Sequence, residues 1–115
     1  AMYSIFTPLL LTVVITATQG NPIPCDGCHC CDAGLITKTT SGAGAHSFDS
    51  DVVTTDGQCS VRTFKCKGTD ANIEINNDGV ISDPAEATLV VSCNAAGTAW
   101  EAEAMTVVKV ECASL

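Results

Sequence analysis

The chain has 115 residues, with 13 acidic side chains against 5 basic ones and a net charge of −8. That size suits a single domain, and the acidity argues against a nucleic-acid or anionic-membrane role, because phosphate binding needs clustered Lys and Arg. Eight cysteines on so short a chain read as a disulfide framework from an oxidising compartment, restraining a domain that buries only about two-thirds of its unfolded surface.

Residues 1–20, AMYSIFTPLLLTVVITATQG, carry no charge. Two readings of this arm stand side by side. As a signal peptide it starts at Met2, uses Leu9 to Ile15 as its hydrophobic region and ends at the small Thr18 and Gly20, although no Lys or Arg precedes the apolar run. As a strand it relies on β-branched residues, with Val13, Ile15 and Ala17 on one face and Thr12, Thr16 and Thr18 on the other. Such a strand would add to a sheet edge of its own domain or of a neighbour, with Ile5, Leu9, Leu11, Val13 and Ile15 as a polymerisation arm. A stable membrane span is not expected, since a spanning helix needs ~20 apolar residues and Pro8, Thr12 and Thr16 interrupt this run.

Residues 21–34 form a Pro/Cys-rich linker. Pro22 and Pro24 lack amide donors and stiffen the chain, so the segment is expected to be extended. The run CDGCHCC then places Cys25, Cys28, Cys30 and Cys31 around His29. Metal sites show a second ligand pair at similar spacing, whereas Cys59, Cys66, Cys93 and Cys112 are scattered singly, as disulfide partners are. No metal and no cofactor is expected. A ring between adjacent Cys30 and Cys31 would be strained, so at least one of them ties the linker to the domain or to another subunit.

Residues 35–115 alternate β-favouring runs with turn clusters. Strands are expected at Leu35–Thr40, Phe48–Thr54, Cys59–Lys67, Ala71–Asn76, Val80–Ser82, Ala87–Asn94, Thr98–Glu101 and Met105–Cys112. Turns fall at residues 41–44, Asp56-Gly57, Asn77-Asp78-Gly79, Asp83-Pro84 and Ala96-Gly97. Seven or eight strands at this spacing predict an all-β, disulfide-stapled, immunoglobulin-like sandwich.

Within it, QCSVRTFKCKG (58–68) is a node. Its two cysteines lie roughly 23 Å apart if the run is extended, beyond the ~7 Å a disulfide tolerates, so each reaches a different part of the chain. Alternation predicts that Ile73 and Ile75 share a dry face, as do Leu89, Val91 and Cys93, and also Val108, Val110 and Cys112. A Cys66–Cys93 bridge is one candidate, contributing about 3.6 kcal/mol through chain entropy. Trp100 is expected to pack beside such a bridge. Arg62, Lys65 and Lys67 are expected on a solvated face.

CSVRTFKC, GTDANIEINNDGV, ATLVVSCNAAGTAW and the ending VVKVECA together resemble the nematode six-cysteine domain, the C-six family, over roughly Cys28 to Ser114. The resemblance implies a secreted extracellular module with no established enzymatic activity. It also implies that Cys59, Cys66, Cys93 and Cys112 are four of the family's six cysteines, with two of Cys28, Cys30 and Cys31 as the others.

No constellation points to catalysis. Glu74, Asn76 and Asp78 before Gly79 suggest part of a calcium loop, but Ala85 stands where the bidentate Glu would be needed, and a hairpin turn explains the same residues. The pairs Glu101/Glu103 and Asp49/Asp51 read as solvated acidic edges. The expectation is therefore a non-enzymatic extracellular structural or adhesive module. Its partners are further copies of itself or other extracellular proteins. It would form filaments if the arm is donated and a linker cysteine locks the joint. The alternative is a monomeric binding or defence module, with residues 1–20 removed as a signal peptide.

Overall fold

The computed structural model describes Cys25, residues 27–55 and residues 58–115. The arm, including Ile5, Leu9, Leu11, Val13 and Ile15, and the expected Asp56-Gly57 turn lie outside the described residues. The rest is a two-sheet β-sandwich, as expected. Its strands are β1 (Thr37–Thr39), β2 (Ala45–His46), β3 (Ser50–Thr55), β4 (Ser60–Lys67), β5 (Ala71–Ile75), β6 (Gly79–Asp83), β7 (Glu86–Cys93), β8 (Trp100–Ala102), β9 (Met105–Val107) and β10 (Lys109–Ala113). Sheet one runs β1-β10-β5-β6 with β2 also on β10, and sheet two runs β3-β4-β7-β8-β9.

Strand β4 is the hub of sheet two, antiparallel to β3 on one side and to β7 on the other. Its alternation places Ser60, Arg62, Phe64 and Cys66 inward and Val61, Thr63 and Lys65 outward. Ile73 and Ile75 of β5, across the core, and Leu89, Val91 and Cys93 of the neighbouring β7 are buried, each set on one face as alternation requires. Phe48 and Phe64 extend this core with ring centroids 5.1 Å apart, a separation at which tilted aromatic pairs are favourable.

The C-terminal run departs from expectation. Instead of one strand from Met105 to Cys112, the chain leaves sheet two after β9 and enters sheet one as β10. Val107 and Val110 are both buried, each from its own sheet, and Val108 between them is 53% exposed rather than inward. Uninterrupted apolar residues conceal this crossing, because both halves have strand character. Strand β2 was also not expected, since it consists of two residues after a glycine-rich turn. The β5–β6 turn sits one residue early: Asn76 and Asn77 take positive φ (54° and 61°), and Asp78 N–H donates to Ile75 O at 2.9 Å. Asn tolerates this left-handed region better than most residues.

Candidate functional site

The linker seals one end of the sandwich covalently. Cys25 pairs with Cys30, Cys28 with Cys59, Cys31 with Cys93 and Cys66 with Cys112, and no described cysteine is free. Cys66 therefore does not pair with Cys93, and no linker cysteine is left to lock a joint with another subunit. Partners so far apart in sequence carry no local signature, which is why spacing did not select them. In the chain-entropy account, the Cys31–Cys93 and Cys66–Cys112 bridges are each worth about 4 kcal/mol.

Non-covalent contacts reinforce the seal. Trp100, fully buried and directly opposite Cys93 in the β7–β8 pair, donates its indole N–H to Asp32 O at 3.0 Å. Gly97 has φ +76°, and a Cβ there would collide with Gly27 O and crowd Cys30. Only glycine lets the 94–99 turn and the linker approach this closely. Asn94 Oδ1 holds that turn by accepting the Thr98 and Ala99 N–H groups at 2.8 and 3.3 Å.

Beneath the linker lies a buried cation that was expected in solvent. Arg62 is only 2% exposed. Its Nε and second terminal nitrogen donate to the two Asp51 oxygens at 2.8 Å each, and its other terminal nitrogen donates to Ala33 O at 3.0 Å. The guanidinium also lies 4.7 Å from the Phe64 ring centroid and 5.7 Å from that of Trp100. Asp51, expected on a solvated edge, accepts from Lys38 Nζ at 2.7 Å as well. The hydrogen bonds from Arg62, and then from Lys38, outweigh burial and bring the Asp51 pKa from 3.8 to about 2. The signal was available: Arg62 has the parity of Phe64 and Cys66. Lys65 and Lys67 do sit in solvent, reaching Glu86 only at 3.9 Å.

Two more polar side chains brace sheet one. Glu111 is mostly buried, and its carboxylate accepts from Thr39 Oγ1, Ser41 N and Oγ, and Gly42 N. These bonds, led by the Ser41 N–H, hold its pKa below the usual carboxylate range and pin the turn between β1 and β2. Asn76 staples the crossing between sheets. Its Oδ1 accepts from Val108 and Lys109 N–H at 2.9 and 3.2 Å, while its Nδ2 donates to Thr106 O at 2.8 Å. That oxygen is thus committed to the backbone, which removes it from the calcium reading.

His46, Cys66 and Cys112 bring three potential ligand atoms within 4.8 Å of one another. The two sulfurs are bonded to each other, and the ring faces Ser47 O through Nδ1 at 2.9 Å and Ser114 Oγ through Nε2 at 3.0 Å. The cluster is occupied in holding β2 to the C-terminus.

At the other end of the β7–β8 hairpin the surface is open. A groove of about 540 Å³ lies between β6 and the β8–β9 hairpin, lined by Ile75, Val80, Ile81, Leu89, Ala102 and Met105, with Glu103 at its rim. Val80, Val90 and Met105 stand 58%, 51% and 40% exposed. Among the described residues, β6 is paired only on its β5 side.

These features define a cystine-stapled, all-β module. The family model for the C6 domain matches residues 31–112, and the chain belongs to that family. No curated protein and no solved structure matches. Family membership and four intrachain bridges point to a secreted extracellular module. The matched span together with Cys28 contains six cysteines that pair among themselves, and the remaining two, Cys25 and Cys30, form the additional bridge. No helix among the described residues is long and apolar enough to cross a membrane.

Proposed function

We propose that the protein is a non-catalytic extracellular building block that assembles with copies of itself, each lending the strand-like segment 5–18 to a neighbour. The observation that carries this reading is the bare β6 edge beside an apolar groove, in a chain whose first 20 residues are uncharged and rich in β-branched side chains. A strand supplied in trans would satisfy the edge backbone and cover the groove together. The absence of a free cysteine removes a covalent joint, so the contact is non-covalent.

Asp51, Asp83 and Glu111 all have lowered pKa values because donors within the fold hold them ionised, so these three carboxylates serve the framework.

Negative-stain microscopy of the purified protein, with and without residues 1–20, tests the proposal. Filaments from the full chain alone are the expected result. Monomers in both samples overturn it. Recovery of native material starting at Asn21 would favour the monomeric binding module.

A further inference from the structure

The groove allows the acceptor to be named, on the strand-donation reading above. Sheet two continues past β7 through β8 and β9, whereas among the described residues sheet one ends at β6, which packs across from β7. The sandwich therefore has a step on this flank, the width of the two short strands β8 and β9, and the groove of about 540 Å³ lies in it. We infer that this position beside β6, over Ala102 and Met105, is the seat of residues 5–18 from a second copy of the chain.

Three observations converge on that occupant. The edge is unguarded: Val80 and Ile81 form its middle, and the first charge on the strand is Asp83 at its end, although edges that stay free are usually blunted by charge, proline or a bulge. The dimensions agree, since the five residues of β6 span ~17 Å and the Thr12–Thr18 run spans ~23 Å as a strand. The chemistry agrees too. As a strand, Leu11, Val13 and Ile15 of that uncharged segment would share one face, and the lining is mostly apolar, with Thr88 and Glu103 as its polar side chains.

A second copy is favoured over the chain's own arm by where the described chain starts. Cys25 and Cys28 are bridged to Cys30 and Cys59, and Gly27 and Cys30 lie against the 94–99 turn. That turn is the end of the β7–β8 hairpin remote from Ala102. Donor and acceptor at opposite ends make a heterologous, head-to-tail contact, which propagates as an open filament.

The test uses the full chain with a photo-crosslinking residue at Val80 or at Met105, both exposed, in an equal mixture of isotopically light and heavy protein. Irradiation is followed by peptide mapping. Crosslinks from either site to peptides within residues 5–18 of the other isotope label are expected. In parallel, V80E and M105E should each raise the concentration needed for assembly by about tenfold or more while leaving the melting temperature of the monomer unchanged. Filaments whose arm crosslinks elsewhere overturn the inference while leaving strand donation standing, and crosslinks confined to the same label seat the chain's own arm in the groove and overturn both. A full chain that stays monomeric at every concentration removes the reading on which the inference rests.

Discussion

At the linker end of the sandwich each inward polar group has a partner. Arg62 is held by Asp51 and Ala33, Trp100 by Asp32, and the linker itself by bridges to β7 and to the approach of β4. At the β6 step, in contrast, Val80, Val90 and Met105 face solvent beside a one-sided strand. The two ends have the same β-rich framework and differ in what covers it. Where the chain supplies its own cover, the result is a dry, fully bonded wall. At the β6 step no such cover exists among the described residues, and apolar surface stays exposed beside a strand paired on one side.

This contrast predicts an ordered set of effects. Removing the buried cation should do most: Arg62→Ala leaves Ala33 O without its partner and Asp51 with Lys38 alone, and should cost about 3–5 kcal/mol in urea unfolding. Lys65→Ala, on the same strand but in solvent, should cost less than about 0.5 kcal/mol. Equal losses from the two would erase the distinction between the ends.

Next, Trp100→Phe should cost about 1–3 kcal/mol by orphaning Asp32 O and leaving a small void. A change within error would mean that the linker is held by its disulfides alone.

Acid should loosen the sealed end by a smaller amount. The Asp51 pKa lies below its ordinary value in the folded protein, so its contribution is complete above about pH 4 and disappears as pH falls towards about 2. Because solvent still reaches the carboxylate, the loss attributable to this group is about 1–2 kcal/mol. Asp83 and Glu111, also lowered, act in the same direction. Urea unfolding at pH 5 and pH 2.5 should show the fall, and Asp51→Asn should reduce it. An unchanged acid dependence in that variant would rule out this origin.

The smallest effect belongs to the open end. Ala104 has φ 69°, so Ala104→Gly should relieve left-handed strain and raise stability by about 0.5–1 kcal/mol. Destabilisation instead would show that the Ala104 side chain contributes packing there.

Much of this framework was readable from period-two alternation. The dry faces of β5 and β7, the inward Cys93 and Cys112, and the β4 hub all follow from it. The misreadings have physical causes. Arg62 was assigned by its charge, although Phe64 and Cys66 two and four residues on place it inside. Met105–Cys112 reads as one strand because β-branched residues continue through the crossing, and the device that breaks it, Asn76, lies some thirty residues earlier in sequence. The β6 groove was not legible in any segment, since strands distant in sequence form it and it opens where β6 is paired on one side only among the described residues.

The Cys25–Cys30 bridge closes a ring over only five sequence positions. In the chain-entropy account so small a ring contributes about 2 kcal/mol, less than the bridges that span the domain, so its principal effect is on direction. A short ring fixes the heading of the chain that passes through it, and here it does so beside the 94–99 turn, where Gly97 lies against Gly27 and Cys30. The additional pair of cysteines thus acts as a gimbal lock on the linker.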